Sequence, residues 1–93
     1  MIGIVAKLKV QAGKEAEFEK HAMALVEQVN KMERGCAMYE LFRSGEEYVF
    51  MEMYSGKAAL DAHGKTKYFG EAMTALKPLL AGAPDVQSYT RVT

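Results

Sequence analysis

The chain has 93 residues, 49% of them hydrophobic and 26% charged, which is enough for one small globular domain and too little for a second independent core. Twelve Lys and Arg against twelve Asp and Glu leave no net field to draw the chain to polyphosphate or an anionic membrane. The single cysteine, Cys36, excludes an internal disulfide, and two histidines are too few for a structural zinc site.

The first segment, Ile2 to Val10, alternates: Ile2, Ile4, Ala6, Leu8 and Val10 share one side, and Val5, Lys7 and Lys9 the other. That is the period of a half-buried strand. Gly13 breaks it. From about Lys14 to Glu33, Phe18, Ala22, Leu25, Val26, Val29 and Met32 recur at helical spacing, with Glu15, Glu17 and Glu19 near the positive end of the helix dipole. Gly35 is expected to end this helix. Cys36 to Arg43 and Glu47 to Tyr54 are aromatic and β-branched runs joined at Ser44-Gly45-Glu46, the composition of a tight hairpin.

Ser55 is a candidate N-cap for a short helix over Gly56 to His63, and Thr66 for a longer one whose stripe is Phe69, Ala72, Met73, Leu76, Leu79 and Leu80. Pro78 should bend or end it. Past the Ala81-Gly82-Ala83-Pro84 turn, Val86 to Val92 alternates again. The order βαββαβ, with an extra short helix before the second long one, predicts an α+β ferredoxin-like domain over residues 1–93, a four-stranded antiparallel sheet with helices on one face.

An even-numbered hairpin loop puts Ala37, Tyr39, Leu41, Arg43, Tyr48, Phe50, Glu52 and Tyr54 on one face and Cys36, Met38, Glu40, Phe42, Val49, Met51 and Met53 on the other. Both faces are largely apolar, and helices on one side cover only one of them. The expectation is a homodimer, sheet against sheet. The tyrosine face also carries the carboxylate of Glu52, costly to bury alone, which suits a pocket lining; the simpler reading pairs Glu52 with a base such as Arg43 or His63. His63 closes the short helix before Gly64, where a histidine serves either as a dipole partner or as a base. Cys36 and the methionines at 38, 51 and 53 read as packing groups.

Gly-rich phosphate loops, nucleophile elbows and His-rich metal spacings are absent. A neutral sheet without the aromatic RNP pattern does not fit nucleic-acid binding. The N-terminus has no basic region before its apolar stretch and no long apolar run follows, so neither export nor membrane spanning is expected, and a cytoplasmic setting fits.

Glu33-Arg34-Gly35-Cys36-Ala37-Met38-Tyr39, Tyr48-Val49-Phe50-Met51-Glu52-Met53-Tyr54, Ala58-Ala59-Leu60-Asp61-Ala62-His63 and Thr66-Lys67-Tyr68-Phe69 resemble the antibiotic biosynthesis monooxygenase family, whose pattern runs E-x-G-C-x-x-Y, E-x-W, A-L-x-x-H, T-x-H-F. The resemblance implies a dimeric α/β barrel and, for some members, cofactor-independent oxygenation of quinols or phenols by O₂, with no metal. It implies His63 as proton acceptor oriented by Glu52, and Tyr39, Phe50, Tyr54, Tyr68 and Phe69 as substrate contacts. The chain departs from oxygenase members in having Tyr54 for Trp, Phe50 for Asn and Tyr68 for His. Ala6 and Tyr54 stand where haem-degrading relatives have Asn and Trp, so haem degradation is not expected. Other relatives isomerise small phosphorylated ketones, which would need Lys65, Lys67 or Arg43 at the pocket. A non-catalytic binding dimer is the third alternative.

Overall fold

The computed structural model describes residues 1–93. The elements are β1 (Ile2–Lys9), α1 (Glu15–Met32), β2 (Cys36–Ser44), β3 (Glu47–Tyr54), α2 (Lys57–Gly64), α3 (Lys67–Leu76), a 3-10 turn (Lys77–Leu79) and β4 (Asp85–Thr90). The strands form one antiparallel sheet in the order β2-β3-β1-β4, the ferredoxin-like topology. Ile4, Ala6 and Leu8 of β1, Tyr39 of β2, and Tyr48, Phe50 and Tyr54 of β3 pack against Phe18, Ala22, Leu25 and Val29 of α1 and Leu76 of α3. Alternation in the strands and the helical stripe in α1 thus meet in one core, on one face of the sheet.

Two local features fix this geometry. The hairpin loop between β2 and β3 has Gly45 at φ 61°, a conformation glycine adopts without a Cβ penalty, and it sets Ser44 opposite Glu47. At the other end of β2, a Cβ on Gly35 would lie 2.7 Å from the Ala59 Cβ of α2. Glycine is what lets α2 pack this closely on the start of β2.

The parity of the hairpin holds from Met38 onward and fails before it. A β-bulge between Cys36 and Met38 puts Cys36 opposite Tyr54 and leaves Ala37 out of the pairing. Cys36 therefore belongs to the tyrosine side, where it is half-buried, and Ala37 is exposed, the reverse of the expected placement. The extra residue of a bulge flips every side chain preceding it. Ser55 does not cap α2; the capping position is Gly56, and no side chain bonds there. Thr66 does cap α3, accepting from the Phe69 N–H at 3.2 Å, and α3 gives way to the 3-10 turn that contains Pro78.

The outer face of the sheet has no helix over it. Phe42, Met51 and Tyr89 are exposed there, and Val5, Met38, Val49 and Met53 are half-buried. Edge strand β4 is exposed along its whole length, and even Val86, on the helix side beside Ala6, is 58% exposed. No helix is long and apolar enough to cross a membrane.

Candidate active site

A cavity of about 370 Å³ lies between the sheet and the α2–α3 corner. Ile4, Ala6 and Phe50 contribute from the sheet, Leu60, Phe69 and Met73 from the helices, and Val86 from β4. Three polar side chains interrupt this apolar lining: Tyr39, Glu52 and His63. An apolar space with a few convergent polar groups is the usual form of a small-molecule site.

The local sequence places His63. Leu60 and His63, three apart on α2, both turn toward the sheet. The chain then breaks at Lys65, and Thr66 restarts it as α3, its hydroxyl donating to the His63 carbonyl at 2.9 Å. The imidazole is buried and stands among three aromatic rings, with centroids at 5.1 Å to Tyr39, 5.4 Å to Tyr54 and 4.8 Å to Phe69.

Its polar partner is Glu33, not Glu52. Nδ1 lies 3.1 and 3.0 Å from the two Glu33 carboxylate oxygens, and the Tyr68 hydroxyl donates to the same carboxylate. No buried side-chain nitrogen or oxygen in the molecule lacks a partner. Nε2 of His63 and the Tyr39 hydroxyl make no bond to protein, so they meet open space, and the space these side chains line is the cavity.

Glu52 accepts the Tyr54 hydroxyl on one oxygen at 2.7 Å and is one of the residues that line the cavity. Burial raises its pKa above the ordinary carboxylate value, while the Tyr54 bond and the nearby His63 pull the other way. Burial likewise raises Tyr39 and Tyr54, helped for Tyr39 by the Glu52 and Glu33 charges and for Tyr54 by its bond to Glu52. Both remain neutral phenols at physiological pH. Burial also raises the Cys36 thiol, which keeps it a protonated packing group.

Of the residues singled out from sequence, His63, Glu52, Tyr39, Phe50 and Phe69 come together around the cavity. Tyr54 and Tyr68 do not line it. Tyr54 is fully buried behind Glu52 and His63, and Tyr68 faces the groove between α1 and α3. Arg43, the other base considered for Glu52, bonds Glu19 at 3.0 Å in a different concavity. Glu33 was not among the candidates, although it begins the first quoted motif; its contact with His63 spans 30 positions, and no local pattern reports it. No three His, Cys, Asp or Glu side chains converge as a metal ion would require.

Comparisons with known proteins agree with this architecture. A crystal structure from Caulobacter crescentus CB15, of a protein provisionally named an antibiotic biosynthesis monooxygenase, matches with a TM-score of 0.96 at 43% identity, covering 99% of this chain and 90% of that one. A conserved protein of Methanosarcina mazei Go1 matches with a TM-score of 0.92 at 26% identity, over 98% of this chain and 92% of the other. An uncharacterised protein of Synechocystis sp. (strain ATCC 27184 / PCC 6803 / Kazusa) is 30% identical over 91 residues, which are 95% of this chain and 61% of that protein. The chain thus spans about three fifths of the length of this relative. The family model described as antibiotic biosynthesis monooxygenase matches residues 1–75, and the chain belongs to that family.

Proposed function

We propose that the protein is a cofactor-independent monooxygenase for a quinol-like or phenolic small molecule, acting as a homodimer joined through the outer sheet face. The observation that carries this reading is His63. One ring nitrogen is anchored by a carboxylate, and the other is unbonded at an apolar cavity bordered by Phe50, Phe69 and Tyr39. A flat ring lies against such walls, and its hydroxyl proton passes to Nε2. The resulting phenolate is electron-rich enough to give an electron to O₂. Recombination at an open ring carbon and loss of water leave a quinone, so one oxygen atom enters the ring and the other departs as water. The Tyr39 hydroxyl, unbonded to protein, is free to donate to the developing anion in an apolar-lined space.

The isomerase alternative needs a phosphate site. Lys65 and Lys67 are exposed, Arg43 is engaged with Glu19, and none of the three lines the cavity, which favours the oxygenase reading. Oxygen uptake with a panel of reduced benzoquinones, naphthoquinones and polycyclic phenols tests it. Uptake above the uncatalysed rate, reduced about 10²-fold or more in His63→Ala, is the expected result for a general base. Uptake indistinguishable from the uncatalysed rate across the panel overturns it. Binding of a panel member without turnover supports the non-catalytic dimer instead.

A further inference from the structure

We propose that Glu33 is a positioning residue that fixes the tautomer of His63, and that Tyr68 is the clamp that holds Glu33 in place. The assignment deepens the reading of His63 as a base and, as regards catalysis, rests on it. An ionised carboxylate only accepts hydrogen bonds. Two groups point at Glu33, the imidazole Nδ1 and the Tyr68 hydroxyl, so each must bring a proton. Tyr68 can do so throughout the physiological range, because burial and the bond to Glu33 push its pKa up to about 12. With Nδ1 protonated, the neutral ring has its lone pair on Nε2, the nitrogen that meets the cavity.

The anchoring comes from outside the cavity. Glu33 opens onto a shallow depression beside Gly35, Cys36 and Ala59, and Tyr68 onto the groove between α1 and α3; neither lines the cavity. A bound substrate therefore cannot displace the carboxylate. When a proton moves from substrate to Nε2, the imidazolium lies against a negative charge behind it. The three residues sit at the end of α1, the last turn of α2 and the first turn of α3, so one carboxylate ties the end of α1 to the two helices that line the cavity.

Nitrogen NMR of the chain labelled with ¹⁵N at the histidine rings tests this without substrate, at about pH 8.5, where an ordinary imidazole is neutral. The expected wild-type spectrum has Nδ1 of His63 protonated and Nε2 bare. In Glu33→Ala the ring is expected to revert to the tautomer mixture of free histidine, whereas Glu33→Gln, whose amide oxygen still accepts, restores the Nδ1–H form. Tyr68→Phe is expected to keep the tautomer and to speed exchange of the Nδ1 proton with water about fivefold to tenfold, the loss of one hydrogen bond. A wild-type ring protonated at Nε2, or a tautomer unchanged in Glu33→Ala, overturns the assignment of Glu33; unchanged exchange in Tyr68→Phe overturns the clamp. Absence of oxygen uptake together with the Nδ1–H tautomer removes the oxygenase reading and leaves Glu33 as the residue that sets the ring.

Discussion

The imidazole of His63 and the carboxylate of Glu33 stand 3.0 Å apart, with the two side chains 5% and 12% exposed. Both ends of this contact are costly to leave alone, because little water reaches them to replace a lost partner. Glu33→Ala, which strips the acceptor from His63 and Tyr68 together, should lower stability by about 1–3 kcal/mol, and Glu33→Gln by less. Urea unfolding is the check. Equal midpoints for wild type and Glu33→Ala would mean that the contact carries no weight in solution.

Glu52 makes stability depend on pH in a defined direction. Burial raises its pKa in the fold above the ordinary 4.5, so the folded chain holds this proton more tightly than the unfolded one. The associated stability is present at low pH and is lost as pH climbs from the ordinary value through the raised one. Glu52→Gln does not titrate and its amide oxygen still accepts from Tyr54. The variant should therefore melt higher than wild type at pH 7, with the gap closing below about pH 4. Thermal melts at the two pH values decide it, and a variant less stable at pH 7 contradicts the sign.

Gly35→Ala drives a methyl group to 2.7 Å from the Ala59 Cβ, so α2 must move away from β2 and carry His63 with it. Overpacking of this kind costs about 1–3 kcal/mol. Ala59→Gly in the same chain should recover most of the loss, since it removes the atom that is struck. A double variant as unstable as Gly35→Ala alone would place the strain elsewhere.

Thr66 both caps α3 and bonds the His63 carbonyl. Thr66→Ala should cost about 1 kcal/mol, and Thr66→Ser should retain most of it, because the hydroxyl rather than the methyl makes both contacts. Chemical denaturation of the two variants side by side is sufficient; identical losses would exclude the hydroxyl as the cause.

The proposed dimer depends on the outer sheet face, where Met51 and Phe42 are 38% and 48% exposed in the isolated chain. A charge placed at the centre of that face would be buried without a partner on association. Met51→Lys should therefore shift the sedimenting species at micromolar concentration from two chains to one while leaving the circular dichroism of the fold intact. Wild type sedimenting as one chain would remove the dimer from the proposal.

Strand alternation, the stripe of α1 and the turn at Gly45 were legible because each is set by residues close in sequence and by a fixed geometric period. The same periods led from the hairpin to the face that carries Tyr39, Phe50 and Glu52. The bulge at Ala37 was not legible, since it is a property of how two strands pair and no composition marks it. The Ser55 cap failed by one position: serine suits a cap, but α2 begins after Gly56 and no side chain bonds at its start.

The division at the site follows the same line. The residue types of the cavity, a histidine and a carboxylate among aromatic rings, were determined by the sequence, because their placement on strand faces and helix ends follows from local periodicity. Which carboxylate holds the histidine was decided only by the tertiary structure. Glu52 faces the cavity and receives Tyr54, while Glu33, from the end of α1, takes both His63 of α2 and Tyr68 of α3, which lies 35 positions from it. Contacts of that range depend on the angles at which elements pack, and those are set by the shape of the whole core rather than by any one segment.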